Sequence, residues 1–362
     1  MQKTTLNNLM DFVRWFQSAQ KTQKNLNKHI FMKRFSMTPS LLLASGLTIG
    51  LPAASFGGVI FNDTFTSGND IIQSTAQAPT GNSSSFEYFQ QGGTPATPTI
   101  SDSGLHLVGR TTSSSITEVQ ALFASSPLTL SSVGDYVDLT FTFANTQNIF
   151  PASSASTLNI GLYNSGGILP NVGSRLDSTT YTAGGGAQNW NGYVARIGGT
   201  GGASSSIFTR DPQTLNGTTS QNQDLLFNGA SGSSAYKDPT GTLVATTGGQ
   251  FDAGLTEGSI YTLNYRITLS AADTLTIENA LYSGDSVDTG SLLLSQSGTT
   301  SSDIETTYDG LAFGWRYNST SAASSVDVSS ISVITNVPEP STFALIGMGM
   351  LGFLGIRRRA RK

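Results

Sequence analysis

Short runs of alternating apolar and polar residues dominate the middle of the chain. In the run Tyr136–Phe143, the apolar side chains Leu139, Phe141 and Phe143 alternate with the polar residues Asp138, Thr140 and Thr142. Residues two apart in a strand lie on the same face, so this run predicts a strand with one buried and one solvated face. The same alternation recurs at 158–163, 260–269, 274–278 and 326–333.

The segments between these runs are rich in Gly, Asn, Asp and Ser, which are typical turn residues. No amphipathic helix competes with the strand runs, and no repeat with a fixed period of 20 to 50 residues is visible. Many short strands separated by turns predict an all-β, antiparallel two-sheet sandwich.

The C-terminal segment 337–362 has a different pattern. It begins with Pro338, Glu339 and Pro340, continues with an uncharged run from Phe343 to Ile356, and ends in a basic cluster of Arg357, Arg358, Arg359, Arg361 and Lys362. As a helix the uncharged run would be about 21 Å long, against a hydrocarbon thickness of about 30 Å. The basic cluster would keep its own end in the cytoplasm. The run therefore predicts a short hydrophobic helix that spans a membrane poorly as an ordinary anchor.

The order of Pro-Glu-Pro, short hydrophobic segment and arginine cluster resembles the PEP-CTERM sorting signal of Gram-negative bacteria. Pro338, Glu339 and Pro340 match the motif itself. The resemblance implies recognition by an exosortase, a membrane-embedded enzyme that removes the tail. It further implies transient anchoring in the inner membrane, followed by release or surface attachment in bacteria that make exopolysaccharide.

The N-terminal segment predicts export independently. Basic residues up to Arg34 precede the apolar run Leu41–Leu51, which is followed by the small residues 53–55. This is the pattern of a secretory signal peptide, which we assign to residues 32–57, with the translocon and signal peptidase as partners. Residues 1–31 are expected to be a mis-assigned or extended N-terminus. The domain plan is therefore signal peptide, β-sandwich at 58–336 and sorting signal at 337–362.

Residues 58–336 are strongly acidic. They contain seven Lys or Arg against 21 Asp or Glu, a formal net charge of −14, which the whole-chain value of −4 conceals. Such a surface repels nucleic acid, which needs basic patches. The chain has no cysteine, which excludes disulfides, thiolate metal sites and a cysteine nucleophile.

The order of the predicted strands resembles the concanavalin A-like, laminin-G-type jelly roll. The matching runs are 59–65, 159–165, 191–197 and 309–315. This resemblance implies two face-to-face sheets of about six strands each, with a concave face that relatives often use for glycans. The insertions 198–206 and 215–224 would be loops at the rim.

Few residues in the sandwich carry catalytic chemistry. His106 is its only histidine, and the alternation turns it away from the core. Glycoside hydrolysis needs two carboxylates facing one cleft, but the strand-borne Glu-x-Asp-x-x-Glu pattern of jelly-roll glucanases is absent. The mature glutamates are Glu87, Glu118, Glu257, Glu278 and Glu305. No catalytic residue is assigned, and a non-catalytic protein is favoured.

Aromatic side chains next to amides offer a binding site instead. Trp190 and Tyr193 lie beside Asn residues, and Trp315 shares a strand face with Phe313. Flat apolar rings and planar hydrogen-bonding groups together suit sugar recognition. Trp190, Tyr193 and Trp315 are therefore the candidate glycan-binding residues. Asp63 and Asp309 are candidate calcium ligands, as hard oxygen donors near the sandwich ends.

Three functions remain open. The first is an exported surface or matrix protein, processed by an exosortase, non-catalytic and associated with exopolysaccharide or another glycan. The second is a hydrolase or lyase acting on polysaccharide. The third is a purely structural coat or biofilm protein. All three place the sandwich outside the inner membrane, at the cell surface, in the outer membrane or in the medium.

Overall fold

The structure, a computed structural model, describes residues 58–65, 88–91, 99–101, 104–108, 115–124, 126–147, 149–152, 156–167, 190–198, 205–210, 225–226, 243–244, 246–247, 249–317 and 324–337. The chain divides into two compact units, Met1–Ala53 and Ala54–Lys362. Every described residue belongs to the second unit. The predicted signal peptide up to residue 57 and the motif residues 338–340 lie outside the described residues.

Strands and turns make up the described residues, with no helix among them. The strands are β1 (Gly58–Asp63), β2 (Tyr88–Gln91), β3 (Thr99–Ser101), β4 (Gly104–Val108), β5 (Ser115–Leu122), β6 (Leu128–Thr129), β7 (Tyr136–Gln147), β8 (Thr157–Asn164), β9 (Asn191–Gly198), β10 (Ser206–Arg210), β11 (Leu243–Val244), β12 (Thr246–Thr247), β13 (Ile260–Ala271), β14 (Thr274–Ser283), β15 (Ser291–Thr300), β16 (Thr307–Tyr308), β17 (Gly310–Tyr317) and β18 (Ser325–Thr335). In this part of the chain, therefore, no helix is available that could cross a membrane.

One sheet has nine strands. Their order is β12, β15, β14, β13, β7, β18, β4 and β3, and β1 pairs with β18. All neighbours are antiparallel. In β13, Leu263 and Ile267 are fully buried on the inner face, which points to the second sheet, whereas Asn264 and Arg266 are only partly buried on the outer face. The predicted alternation is confirmed in this sheet.

The second sheet has seven strands, in the order β11, β10, β9, β8, β17, β5 and β2, again antiparallel. Residues 157–163 of β8 are all buried, so the prediction of a solvated face for 158–163 is wrong. The reason is tertiary, because Leu225 and Leu226 hydrogen-bond to outer-face side chains of this sheet and are themselves fully buried.

The two sheets meet through an aromatic cluster. The rings of Phe141 on β7 and Phe313 on β17 stack with centroids 3.6 Å apart. Phe143 and Trp315 extend the cluster on either side of Phe313, with centroids 5.7 and 6.3 Å from its ring. The Trp315 indole N–H donates to Ser324 Oγ at 3.1 Å, which satisfies its one polar atom. The stack of Phe141 on Phe313 thus joins the central strands β7 and β17 of the two sheets.

The all-β, antiparallel two-sheet sandwich is confirmed, but the expected six strands per sheet are too few. The additional strands include β2, β3, β11 and β12, which are two to four residues long. Runs this short show no alternation that a sequence pattern can reveal. A further small sheet, β6 with β16, pairs residues 128–129 with 307–308.

Truncation of Phe313 to Ala tests the contact between the sheets. We expect the free energy of unfolding to fall by about 3–5 kcal/mol, because the change removes a buried ring and leaves a cavity between packed sheets. Urea unfolding followed by tryptophan fluorescence measures the loss. Val133→Ala, at a 64% exposed position, is the control and should cost less than about 0.5 kcal/mol. Equal losses for the two variants would contradict the assignment.

Candidate functional site

The three candidate aromatic residues are core residues. Trp190, Tyr193 and Trp315 are at most 1% exposed. The Trp190 ring packs against Tyr163, with centroids 6.2 Å apart, and Tyr193 Oη accepts the backbone N–H of Glu305 at 2.9 Å. A sugar needs an accessible ring face to stack on. Contrary to the prediction, these three rings are therefore not accessible to a glycan in this structure.

Gly310 explains why Trp190 is buried although polar residues flank it in the sequence. A Cβ atom at position 310 would lie 2.6 Å from the Trp190 ring, so only glycine leaves room for the indole. Gly310 pairs with Tyr163 across β17 and β8, which places the space for Trp190 beside the Tyr163 ring. The position of Trp190 thus depends on a residue 120 positions away.

The two candidate calcium ligands have structural partners. Asp63 Oδ1 accepts the backbone N–H of Phe65 at 2.7 Å, in the turn after β1. The two oxygens of Asp309 accept the N–H and the hydroxyl of Ser165 at 2.7 and 2.6 Å. Among the described residues, no three His, Asp or Glu side chains are grouped as a metal ion requires.

Burial dominates the electrostatics of Asp309. It raises the pKa of the Asp309 carboxyl, whereas the hydrogen bonds from Ser165 act in the opposite direction and the negative charge of Glu305 adds to the increase. The hydrogen bonds hold the turn that follows β8 against the start of β17. Asp309 therefore links the end of β8 to the start of β17 through buried hydrogen bonds.

An open cleft lies on the outer face of the nine-stranded sheet. Its volume is about 290 Å³, close to the lower end of the roughly 300–1,000 Å³ of small-molecule sites. We define the open cleft by the side chains that β13, β14 and β15 contribute to it: Asn264, Arg266, Glu278, Tyr282, Leu292 and Ser295. Ala280, paired with Asn264 on one side and Ser295 on the other, has a short side chain and leaves room at the middle.

Arg266 is held in place from the neighbouring strand. Its guanidinium pairs with Asp138 Oδ2 at 2.5 Å through Nη2 and at 2.7 Å through Nε. It also lies over the Tyr136 ring, 4.5 Å from the centroid. Asn264 donates a short hydrogen bond to the other oxygen of Asp138. A paired carboxylate and a stacked ring fix the guanidinium, whose side chain is still 38% exposed.

A β-bulge shapes the apolar end of the open cleft. The pairing of β14 with β15 shifts between Leu281 and Tyr282, so Leu294 opposes Leu281 whereas Leu292 opposes Tyr282. The extra residue, Leu293, puts Leu292 on the same face as Tyr282. Leu292 is 56% exposed. The open cleft thus has an aromatic and aliphatic end next to its amide, guanidinium and carboxylate groups.

The second polar surface is closed. We call the outer face of the seven-stranded sheet around Glu118, Asn159 and Tyr163 the covered face, because Leu225 and Leu226 lie over it. Glu118 on β5 and Asn159 on β8 are both opposite Gly314 of β17, so they lie in one row across the sheet. The side chains of this face and the two leucines over it are fully buried: Glu118, Asn159, Tyr163, Leu225 and Leu226.

The described carboxylates do not form a catalytic pair in the open cleft. Glu278 is exposed there, but Asp138 has one oxygen bonded to Asn264 and the other to Arg266. Glu118 lies on the other sheet, and Glu305 is occupied by Asn164 and the N–H of Thr307. Glu87 is outside the described residues. A two-carboxylate hydrolase site therefore gains no support from the described residues.

His106 faces away from the core, as predicted. Leu105 and Leu107 on either side of it are buried, and its own side chain is 37% exposed. Its Nδ1 lies 2.5 Å from Asp327 Oδ1 on the adjacent strand β18. The pair joins two strands on the outer face of the nine-stranded sheet.

Sequence reasoning missed the residues of the open cleft. Arg266 and Glu278 do stand on the polar side of two predicted strands, but their proximity follows from the pairing of β13 with β14. The one signal in the sequence was Arg266 itself, one of only seven basic residues in the acidic domain, which stands in a predicted strand.

Comparison with known proteins identifies the tail. Residues 336–359 match the PEP-CTERM protein-sorting motif, which confirms the resemblance seen at Pro338, Glu339 and Pro340. The motif implies an exosortase as processing partner and an exported protein that the tail anchors transiently. The chain matches no protein with a curated description.

The fold of the chain has a low similarity to those of lectins and a glucanase. A peanut lectin structure is 11% identical with a TM-score of 0.35, covering 77% of this chain and 97% of its own. Arcelin-5, a lectin-like defence protein from Phaseolus vulgaris, is 14% identical with a TM-score of 0.37, covering 78% of this chain and 99% of its own. An endo-1,3-beta-glucanase from Streptomyces sioyaensis is 8% identical with a TM-score of 0.38, covering 83% of this chain and 100% of its own. At such values these likenesses transfer no ligand, site or activity.

Replacement of Asp309 by Asn tests the buried carboxyl through pH. The folded protein binds the Asp309 proton more tightly than the unfolded chain, in which the pKa is about 3.8. The stability from this proton is therefore complete below pH 3.8 and is lost as pH rises through the higher pKa of the folded state. We expect the free energy of unfolding of the wild type, minus that of Asp309→Asn, to decrease as pH rises from 3.8.

Urea unfolding at a series of pH values measures this difference. The matched change Asp285→Asn, at an exposed position, controls for the loss of one negative charge. A difference, wild type minus Asp309→Asn, that stays constant or increases with rising pH would contradict the raised pKa.

Proposed function

We propose that this protein is an exported, non-catalytic surface or matrix protein that an exosortase processes at its tail and that binds neutral glycan, in the producing cell's exopolysaccharide, through the open cleft. The motif at residues 336–359 supports the first part. The predicted signal peptide at 32–57 leads the chain across the same membrane, and signal peptidase and the translocon would be its partners there.

The composition of the open cleft is the observation that carries glycan binding. Sugar rings present an apolar face and a set of paired hydroxyls. Tyr282 and Leu292 offer an apolar surface. The amide nitrogen of Asn264 is bonded to Asp138 and Thr140, and Nε and Nη2 of Arg266 are bonded to Asp138, so the amide oxygen of Asn264 and the Nη1 group of Arg266 are the planar groups that can bond to hydroxyls. Asp138 already holds both planar groups in position, so little side-chain entropy is lost on binding.

The charge distribution favours a neutral glycan over an anionic one. Three of the four described arginines, Arg196, Arg210 and Arg316, are at most 8% exposed. Arg266 is the exception, and Asp138 neutralises it. Residues 58–336 carry a formal net charge of −14. A uronic-acid polymer would therefore meet like charge at the domain surface.

The alternatives differ in what they require. A hydrolase or lyase needs a second acidic or basic group facing the substrate, and the described part of the open cleft offers only Glu278 in unpaired form. A purely structural coat protein needs no ligand, and the cleft would then be incidental. Release of reducing ends or unsaturated sugars would favour the enzyme, and absence of any glycan binding would favour the coat protein.

Glycan binding is tested with the exported protein and a panel of neutral and uronic-acid oligosaccharides. We expect binding of neutral members that changes little with salt, because no charge pairing is involved. Tyr282→Ala and Asn264→Ala should each weaken it about tenfold, since each removes a contact of about 1–1.5 kcal/mol. Isothermal titration calorimetry measures the affinities.

Thr299→Ala provides the matched control, because this residue is exposed on β15 but lies outside the cleft. Its affinity should equal that of the wild type. Binding that persists unchanged in Tyr282→Ala and Asn264→Ala would reject the open cleft as the glycan site.

Removal of the tail is tested in a host that contains an exosortase. The released protein should lack Arg357 to Lys362, and Glu339→Ala should leave an unprocessed chain in the membrane fraction, because the recognised motif is altered. Mass mapping of the C-terminus measures both. Glu278→Ala is the control and should be processed normally. A released protein that retains Lys362 would contradict the proposal.

A further inference from the structure

The covered face binds a dipeptide of its own chain through the backbone. Leu225 N–H donates to Glu118 Oε1 at 2.9 Å, and Leu226 N–H donates to Glu118 Oε2 at 3.2 Å. The carbonyl of Leu225 accepts from Tyr163 Oη at 3.0 Å, and that of Leu226 accepts from Asn159 Nδ2 at 2.7 Å. All four main-chain polar groups of the dipeptide thus bond to side chains of β5 and β8.

Glu118 is built to receive backbone N–H groups. It is fully buried, and a buried carboxylate is costly unless hydrogen bonds compensate for its lost hydration. Gln120 Nε2 donates a third hydrogen bond to Oε1 at 2.7 Å and orients it. One carboxylate that takes two successive N–H groups recognises an extended main chain, and the buried leucine side chains add apolar contacts to it.

The sheet beneath the dipeptide provides space for it. Gly314 lies between Glu118 and Asn159 in the row across β5, β17 and β8. In the next row, Gln120 is followed by Ala312 and Gly161. Gly161 leaves room for the Tyr163 side chain, whose hydroxyl bonds to the dipeptide. Gly314 and Ala312 are likewise small, and the side chains of Leu225 and Leu226 are fully buried.

The covered face has hydrogen-bonding capacity that the dipeptide does not use. Among the residues that the structure describes, Asn159 Oδ1 and Thr157 Oγ1 have no hydrogen-bond partner, and both residues are 0% exposed on the same outer face of β8. Buried polar atoms are almost always paired. These two acceptors lie on the strand whose Asn159 Nδ2 bonds to Leu226, and they are suited to N–H groups of an extended main chain.

We propose that the covered face is a binding site for an extended peptide main chain, and that the Leu225–Leu226 segment of a second copy of this chain can take the place of the chain's own. Every contact in the site is made to a short segment, so the same contacts form whether that segment belongs to the same copy or to another. Exchange of identical elements between copies is a low-cost route to dimers. This site is on the opposite sheet from the open cleft and is independent of the glycan proposal.

The sequence on both sides of the dipeptide is long enough for the exchange. Fourteen residues, 211–224, connect it to β10, and sixteen, 227–242, connect it to β11. Fourteen residues can span at most about 46–50 Å when fully extended, which reaches an adjacent domain. Lengthening a connection adds little to the entropic cost of closing it, so stretches of this length are compatible with either arrangement. High local concentration at a cell surface would favour the exchange.

Complementation between two variants of the full exported chain tests the proposal. Leu225→Ser with Leu226→Ser keeps the site but spoils the segment. Asn159→Ala with Tyr163→Phe keeps the segment but removes both carbonyl donors. Sedimentation velocity should show a one-to-one dimer when the two are mixed, at a concentration at least tenfold below that at which either variant associates alone. Circular dichroism and urea unfolding establish that each variant is folded.

A second pair guards against a folding defect in the site variant. Glu118→Gln replaces the carboxylate acceptor, and the matched Glu278→Gln changes an exposed glutamate of the other sheet. Only Glu118→Gln should complement the segment variant in the same way. Folded variants that never form a mixed dimer, in either pairing, would overturn the second copy as occupant.

A peptide separates the site from the exchange. A labelled peptide of residues 221–230 should bind the Leu225→Ser, Leu226→Ser variant at least tenfold more tightly than the wild type, because its competitor within the chain is weakened. The same peptide with both leucines changed to serine is the control and should bind more weakly. Equal binding to both proteins, or none to either, would overturn the binding site itself.

Discussion

Burial of the seven-stranded sheet on both faces is the constraint on which the rest of the structure depends. A sheet in a sandwich normally needs only one buried face, yet residues 157–163 of β8 are buried throughout. Every polar side chain on the outer face of this sheet therefore competes for partners inside the protein. Glu118 and Asn159 find theirs in the backbone of Leu225 and Leu226, and Trp190 fills the space that Gly310 leaves.

The same constraint distributes function between the two sheets. Because the outer face of the seven-stranded sheet is closed, the outer face of the nine-stranded sheet is where solvent meets long, regular strands. The polar side chains of β13, β14 and β15 lie there in register rows, with Asp138 of β7 holding Arg266 and Asn264 from the side. One sheet thus has an open cleft on its outer face, whereas the outer face of the other sheet holds the backbone of Leu225 and Leu226.

Charge follows the same division. The arginines Arg196, Arg210 and Arg316 are buried on the covered sheet, so their charges contribute little to the surface. The exposed carboxylates, such as Asp285 and Glu278, remain in water. An acidic exterior is expected to repel nucleic acid, while the basic residues of the tail belong to the segment that matches the sorting motif.

The linear order of residues determined the parts of this protein that are read locally. A sorting motif is recognised as a short peptide, so Pro338, Glu339, Pro340 and the following run carry their own meaning. Strand alternation in β7 and β13 is also local, since a period of two needs no partner, and the all-β sandwich followed from it. Tertiary structure alone decided the burial of Trp190, the strands of two to four residues, the assembly of the open cleft and the position of Leu225 and Leu226. Each of these depends on which strands pair and in which register, and that choice is made by contacts between residues distant in the chain, which no window of sequence contains.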